Sequence, residues 1–246
     1  MGRRTVEIRF YAELRDFVAS PDGRVVRSFE LSPSVKDLIE SCGVPHTEVD
    51  LILVDGESVD FSHRLTGGER ISVYPVFESF DISPLVRLRP RPLREPRFVA
   101  DVHLGRLARY LRLLGFDTRY DPRADDAELV RRSVDEWRLL LTRDVQLLKH
   151  GELTHGYFVR ATEPRAQLLE VVSRFHLQSA IRPFGRCAVC NSTIEAVEKA
   201  AVEHLLPDAV RRDQDEIWRC SDCGRLYWKG SHVTRIAELA EAARRA

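Results

Sequence analysis

Phe98-Val99-Ala100-Asp101-Val102-His103-Leu104-Gly105-Arg106-Leu107-Ala108-Arg109-Tyr110-Leu111-Arg112-Leu113-Leu114-Gly115 decides how the middle of this chain folds. Three apolar residues run into an acid, as a short buried strand does at its end. Leu104, Leu107, Ala108, Leu111 and Leu114 then recur at helical spacing on one face. Arg106, Arg109 and Arg112 fall on the opposite face, and Gly115 supplies the stop. Strand–helix alternation continues from there. Phe116–Tyr120 reads as a short strand, Asp126–Val134 as a helix with an acidic start, and Arg138–Leu141 as an apolar strand. Thr142-Arg143-Asp144 then opens a helix through Lys149. Gly156–Val159 is a further strand and Pro164–Phe175 a further helix. The pattern predicts a parallel α/β sheet over residues 97–180.

Before this core, Pro84, Pro90, Pro92 and Pro96 predict a stiff Pro/Arg-rich linker over 81–96. Residues 1–80 read as a separate α/β unit. Thr5–Tyr11 alternates as a strand, Arg24–Leu31 follows the Pro21-Asp22-Gly23 turn, and Ser34–Cys42 is a helix capped by Ser34. Leu51–Val54 and Arg70–Val76 are strands bounded by turns at Asp55-Gly56 and Gly67-Gly68. The order ββαββ fits a β-grasp, ubiquitin-like domain.

Beyond the core, residues 181–246 hold Cys187-Ala188-Val189-Cys190 and Cys220-Ser221-Asp222-Cys223, followed by a closing helix over 234–245. Two residues between thiols let both sulfurs of a tight turn aim at one centre. Two such turns make a closed tetrahedral S₄ shell, the geometry of structural zinc. Such a shell has no open position, so the chemistry belongs elsewhere. Cys42, the fifth cysteine, reads as a small core residue. His204 and His232 are alternative donors that a four-thiolate shell does not need.

The 246 residues carry 38 Lys+Arg and 38 Asp+Glu. The balance is uneven: residues 1–80 hold 9 basic against 14 acidic side chains, and the remainder 29 against 24. Arginines 87, 89, 91, 94, 97, 106, 109 and 112 crowd one segment, and their forks suit phosphate. The absence of a long apolar run predicts no membrane helix. Paired thiols without an export signal predict the cytoplasm.

Asp101 and Asp144 stand at strand ends, where open α/β sheets gather their sites. Asp126, with Asp125 and Glu128 as neighbours, supplies a third acid at a helix start. Converging carboxylates call for a hard cation such as Mg²⁺ or Mn²⁺, which activates water and offsets phosphodiester charge. Arg106, Arg109, Arg143 and Lys149 are the candidate phosphate contacts. Each aspartate can also be a plain helix cap, and the arginine stripe a solvated face. Tyr227, Trp228, Lys229 and His232 could stack on a single-stranded base or simply pack the zinc lobe.

Residues 1–80 resemble the ubiquitin-like sulfur carriers ThiS and MoaD, through Phe10-Tyr11-Ala12-Glu13-Leu14-Arg15 and Leu65-Thr66-Gly67-Gly68-Glu69-Arg70-Ile71. Those carriers act through a free terminal Gly-Gly. Gly67-Gly68 is internal, so the resemblance implies a binding module without carrier chemistry. The stretch 98–117, Leu140-Leu141-Thr142-Arg143-Asp144, Cys187-Ala188-Val189-Cys190-Asn191 and Cys220 through His232 resemble the Mut-seven C-terminal RNase family. That resemblance implies a PIN-like, metal-dependent ribonuclease with a zinc ribbon. It places the acids at Asp101, Asp144 and, between them, Asp126. A fourth acid has no clear counterpart after Val159, where Glu163 is the candidate. The expected partner is RNA, including tRNA or another structured RNA. A non-catalytic RNA-binding protein, or an adaptor docking a protein through its β-grasp domain, are the alternatives.

Overall fold

The computed structural model describes residues 3–75, 88, 97–228 and 231–246, with the side chains of 231–235 left aside. The linker expected at 81–96 lies outside these, Leu88 excepted, as do Lys229 and the side chain of His232.

The first unit contains β1 (Arg4–Phe10), β2 (Arg24–Phe29), α1 (Val35–Ser41), β3 (Val49–Val54), β4 (Glu57–Ser58) and β5 (Arg70–Pro75). The sheet order is β2-β1-β5-β3-β4, with β1 and β5 parallel at its centre and the other pairs antiparallel. This is the β-grasp arrangement. Val6, Ile8 and Phe10 alternate inward from β1 and meet Val35, Leu38 and Ile39 of α1. The Ser34 hydroxyl accepts the Asp37 N–H at 3.1 Å, so the predicted cap is present. Gly67 and Gly68 take φ of +106° and +95° in an internal turn. The Glu69 carboxylate closes that turn by accepting the Thr66 and Gly67 N–H groups at 2.6 and 2.7 Å.

The second unit contains β6 (Phe98–Ala100), α2 (Gly105–Leu113), β7 (Thr118–Arg119), α3 (Asp126–Asp135), β8 (Leu139–Thr142), α4 (Val145–Leu148), β9 (Gly156–Phe158) and α5 (Pro164–Arg174). Its sheet is all parallel, in the order β7-β6-β8-β9. Strand residues alternate between two cores. Phe98, Ala100, Leu139 and Leu141 pack with α2 and α5; Val99 and Leu140 pack with Leu129, Val130, Leu147 and Leu148 on α3 and α4. Helices cover both faces, which explains near-continuous apolar strands. The chain leaves β6 toward β7 and returns to β8 on the other flank. The topological switch therefore falls between β6 and β8.

Arg112 departs from the expected arginine stripe. Arg106 and Arg109 are exposed, but Arg112 is only 5% exposed and is fully engaged in the structure.

The third unit is an antiparallel sheet of β10 (Ile194–Val197), β11 (Ile217–Cys220) and β12 (Leu226–Trp228), with α6 (Lys199–Val202) and α7 (Asp208–Asp213) between β10 and β11. Val202, Leu206 and Ile217 form its small core. The closing helix α8 (Ser231–Arg245) does not stay with it. Leu239, Ala240 and Ala243 join the core of the parallel sheet beside α5. No described helix is long and apolar enough to cross a membrane.

The β-grasp unit is docked on β9, an edge strand. Alternate β9 residues face away from β8, and one of them, Phe158, donates its N–H to Glu48 Oε1 at 2.5 Å. Thr47 donates to Leu148 O at 3.2 Å, and a His46 ring nitrogen lies 2.9 Å from Leu153 O. Lys149 Nζ donates to Glu40 O at 2.7 Å, so this candidate phosphate contact also ties the two units. Arg160 binds Asp16 Oδ2 at 2.9 Å, and Arg174 binds Glu13 Oε1 at 3.1 Å. Glu48 is 1% exposed. Glu48→Ala would leave the Phe158 N–H buried without its acceptor, at a cost of about 1–3 kcal/mol. Thermal denaturation should show a midpoint lower by roughly 2–10 °C, and Glu48→Gln, which keeps an acceptor oxygen, a smaller fall.

Candidate active site and metal centre

Asp101 follows the last residue of β6, and its N–H donates to Leu141 O at 3.0 Å, which pins it beside β8. Its side chain is 5% exposed. Thr142, at the end of β8 and 0% exposed, donates its hydroxyl to Asp101 Oδ2 at 2.5 Å. The same oxygen, Thr142 Oγ1, accepts the Asp144 N–H at 2.9 Å. One hydroxyl thus ties the two aspartates together across the switch point, where open α/β sheets leave a crevice. Asp144 is exposed and also caps α4: its Oδ1 accepts Gln146 N at 2.6 Å and Leu147 N at 3.3 Å. Both capping bonds go to one oxygen, so capping does not engage Oδ2.

Asp126 is the first residue of α3 and exposed. Its neighbour Asp125 is the cap, accepting Glu128 N at 2.8 Å. Glu128 itself is bound by Arg131 and Arg132. Glu163 caps α5, accepting Arg165 N and Ala166 N at 2.8 and 2.9 Å. These acids follow strands β7 and β9 and so share the carboxyl edge with Asp101 and Asp144. The three aspartates are not drawn into one cluster, however. Among the described residues, the cysteine tetrad alone forms a group of three or more metal-ligating side chains close enough to hold one ion.

Arg106 lies in the first turn of α2, just past Asp101, and Arg109 one turn further. Arg143 is committed elsewhere. Its NH1 donates to Val159, Arg160 and Ala161 carbonyls at 2.9, 2.6 and 2.5 Å and holds the loop after β9. Glu170 completes that hold, accepting from Arg160 N and Ala161 N at 2.8 Å each. Sequence reasoning missed Thr142 and Glu170 as organisers. Thr142 had a signal, a hydroxyl between two acids at a strand end; Glu170, on a helix surface pattern, had none.

The four thiols meet as predicted. Cys187 and Cys223 sulfurs lie 3.6 Å apart, Cys190 and Cys220 3.3 Å, and all four ligand atoms fall within 4.8 Å of one another. Bonds of about 2.3 Å to a central zinc give a tetrahedral edge of about 3.8 Å, so the donor set fits the metal. These separations are far beyond a disulfide bond of about 2.05 Å. Crowding spreads the thiol acidities. Against burial, hydrogen bonds from Ser192 and the neighbouring thiols hold Cys190 down to about 6. Cys223 is pushed up to about 12, because burial and the sulfurs around it outweigh the Arg225 amide. Accumulated thiolate charge of this kind is what a divalent cation relieves. Tyr227 is tied to the first knuckle. Its hydroxyl lies 3.0 Å from Cys187 Sγ and accepts Ala188 N at 3.2 Å. Trp228 packs on the small core of the third unit.

The first knuckle meets the parallel sheet at the edge opposite the aspartates. Asn191 Nδ2 donates to Asp117 Oδ1 at 2.7 Å, and Asp117 precedes β7. Arg138, which precedes β8, donates to the same Asp117 oxygen at 2.8 Å. Strands of a few residues at about 3.3 Å each separate the two edges by on the order of 10 Å.

The family model described as the Mut7-C RNAse domain matches residues 96–240, and the one described as Mut7-C ubiquitin matches residues 3–81. No curated protein matches. The crystal structure of H. volcanii small archaeal modifier protein 1 is similar at 15% identity over 29% of this chain and 97% of that chain, with a TM-score of 0.25. The RNAse-domain match spans more than half of the 246 residues, and the chain belongs to the Mut7-C RNAse-domain family, with a Mut7-C ubiquitin-like domain in front.

Proposed function

We propose that the protein is a Mg²⁺- or Mn²⁺-dependent ribonuclease that hydrolyses RNA phosphodiester bonds at the carboxyl edge of its parallel sheet. The observation that carries this reading is the Asp101–Thr142–Asp144 link at the switch point. A Mut7-C RNAse domain supports a ribonuclease-like function, and the oxygen-only donors Asp101, Asp126 and Asp144 suit a hard cation. When bound, such an ion lowers the pKa of water and stabilises charge on the phosphodiester. The chain's own part is positional. Thr142 fixes the Asp101 carboxylate, α4 fixes Asp144, and Asp126 stands exposed at the start of α3 on the same edge of the sheet. Arg106 and Arg109, exposed beside Asp101, hold the RNA phosphates. Arg143 and Lys149 serve as ties to backbone carbonyls. We place the zinc lobe's contribution in holding the sheet. It touches RNA only where the strand extends around to the opposite edge. Val26 and Leu31, 66% and 81% exposed, are the apolar surface of the β-grasp unit open to a protein partner.

The scattered acids favour a second reading, an RNA- or tRNA-binding protein without turnover. One assay separates the two. Full-length protein is mixed with defined RNAs, a tRNA among them, in buffer with Mg²⁺, with Mn²⁺, or with neither, chelators being omitted to spare the cysteine site. Cleavage that requires the added ion and falls about 100-fold or more in Asp144→Asn supports the nuclease. RNA retention without turnover in either metal supports binding alone.

A further inference from the structure

The knuckle Cys187–Cys190 does more than close a metal shell, because the residue that follows it is inserted into the parallel sheet. β7 is an edge strand, and Phe98 N takes Asp117 O on its paired side. The N–H and C=O of Thr118 therefore face outward, where an edge strand is exposed to wrong pairing. Both are filled by side chains. Asn191 Oδ1 accepts the Thr118 N–H at 2.9 Å, and Arg112 Nε donates to Thr118 O at 2.8 Å. Arg112 NH1 then donates to Val189 O at 2.8 Å, inside the knuckle. Thr118, Arg112 and Asn191 are 0%, 5% and 5% exposed.

The knuckle in turn sets Asn191. Its φ is +74°, its N–H donates to Cys187 O at 3.0 Å, and Cys187 N donates to Ser192 O at 2.8 Å. A left-handed residue is held there by the turn that the paired thiols close. The four sulfurs of the two knuckles, all within 4.8 Å of one another, converge on the centre that a metal would occupy and so close this turn from the other side.

We infer that the zinc knuckle is a metal-dependent brace of edge strand β7, in which Asn191 and Arg112 transmit the order of the metal shell to the sheet. The metal is one the cysteines fit. The inference rests on that fit and not on the nuclease reading, so either can fail alone. β7 borders β6, the strand that delivers Asp101.

Hydrogen exchange of the full-length protein, with zinc bound and after its removal, tests the brace. The Thr118 amide is expected to exchange at least about tenfold faster without zinc, while Ile8 and Val73 in the β-grasp sheet keep their protection. Thr118 protection that survives while amides of β10–β12 exchange freely would overturn the inference, and so would a uniform loss across the chain. Asn191→Gly removes the side chain but tolerates the positive φ. It should retain about one zinc per chain and still lose Thr118 protection. Unchanged protection in this variant, or loss of zinc with it, shows that Asn191 only shapes the knuckle, and overturns the relay. Should the variant not fold, the zinc-removal comparison decides alone.

Discussion

Asp101→Asn is expected to lower RNA cleavage by about 100-fold or more with little change in the unfolding midpoint. The substitution preserves shape. The amide oxygen still accepts the Thr142 hydroxyl, and the N–H bond to Leu141 O is untouched. What disappears is the negative charge at the switch point. Thr142→Val tests the link from the other side. It leaves Asp101 Oδ2 and the Asp144 N–H without their shared partner, a hydroxyl on a residue that is 0% exposed. That costs stability by about 1–3 kcal/mol and lowers cleavage about tenfold, less than loss of the charge itself. Thr142→Ser restores the hydroxyl and should recover most of the rate. Full cleavage by folded Asp101→Asn would remove Asp101 from the reaction.

Much of the fold was legible because its signals are local. Ser34 before a helix, Leu104 to Leu114 at helical spacing and Gly115 after it each act within one or two turns. The CxxC pairs were equally direct, since metal geometry is written into the spacing. What escaped depends on pairings far apart in sequence. Arg112 sits on the same stripe as Arg106 and Arg109, and no periodicity shows that two of its three carbonyl partners lie 76 and 77 residues away. Nor does the sequence show that the Lys149 ammonium donates to Glu40 O, 109 residues earlier. The acids were found by strand ends, a rule about sheet edges, whereas the hydroxyl that joins two of them needed the register of β6 against β8. The position of α8 was also beyond the pattern: an alanine-rich amphipathic helix says which face is buried, not what buries it.

The charge network at the other edge carries the largest expected stability effect. Arg138, 3% exposed, donates to both Asp117 oxygens at 2.8 and 3.3 Å, to Glu136 Oε2 at 2.6 Å and to Phe98 O at 3.3 Å. Arg186 lies 3.6 Å from Asp117 Oδ2, and Asn191 binds Asp117 Oδ1 at 2.7 Å. Asp117→Ala would remove the acceptor that all three share and leave the buried Arg138 guanidinium with Glu136 and Phe98 O alone. Breaking such a pair from one side costs about 3–5 kcal/mol. For a chain of this size the unfolding midpoint should fall by roughly 10 °C. Asp117→Ala with Arg138→Met removes both charges and should recover part of that loss, since apolar replacement of a whole pair is close to neutral. Acidity gives an independent check. Burial alone would raise the Asp117 carboxyl, but hydrogen bonds from Arg138 and Asn191 hold it below the usual range. A carboxylate depressed in the folded state stabilises fully above its unfolded value near 4 and loses that contribution as pH falls through the folded value. The gap between the wild type and Asp117→Ala should therefore be widest at neutral pH and close below about pH 4. A gap that stays constant from pH 7 to pH 3 would mean that packing around Asp117, and not its charge, holds this edge of the sheet.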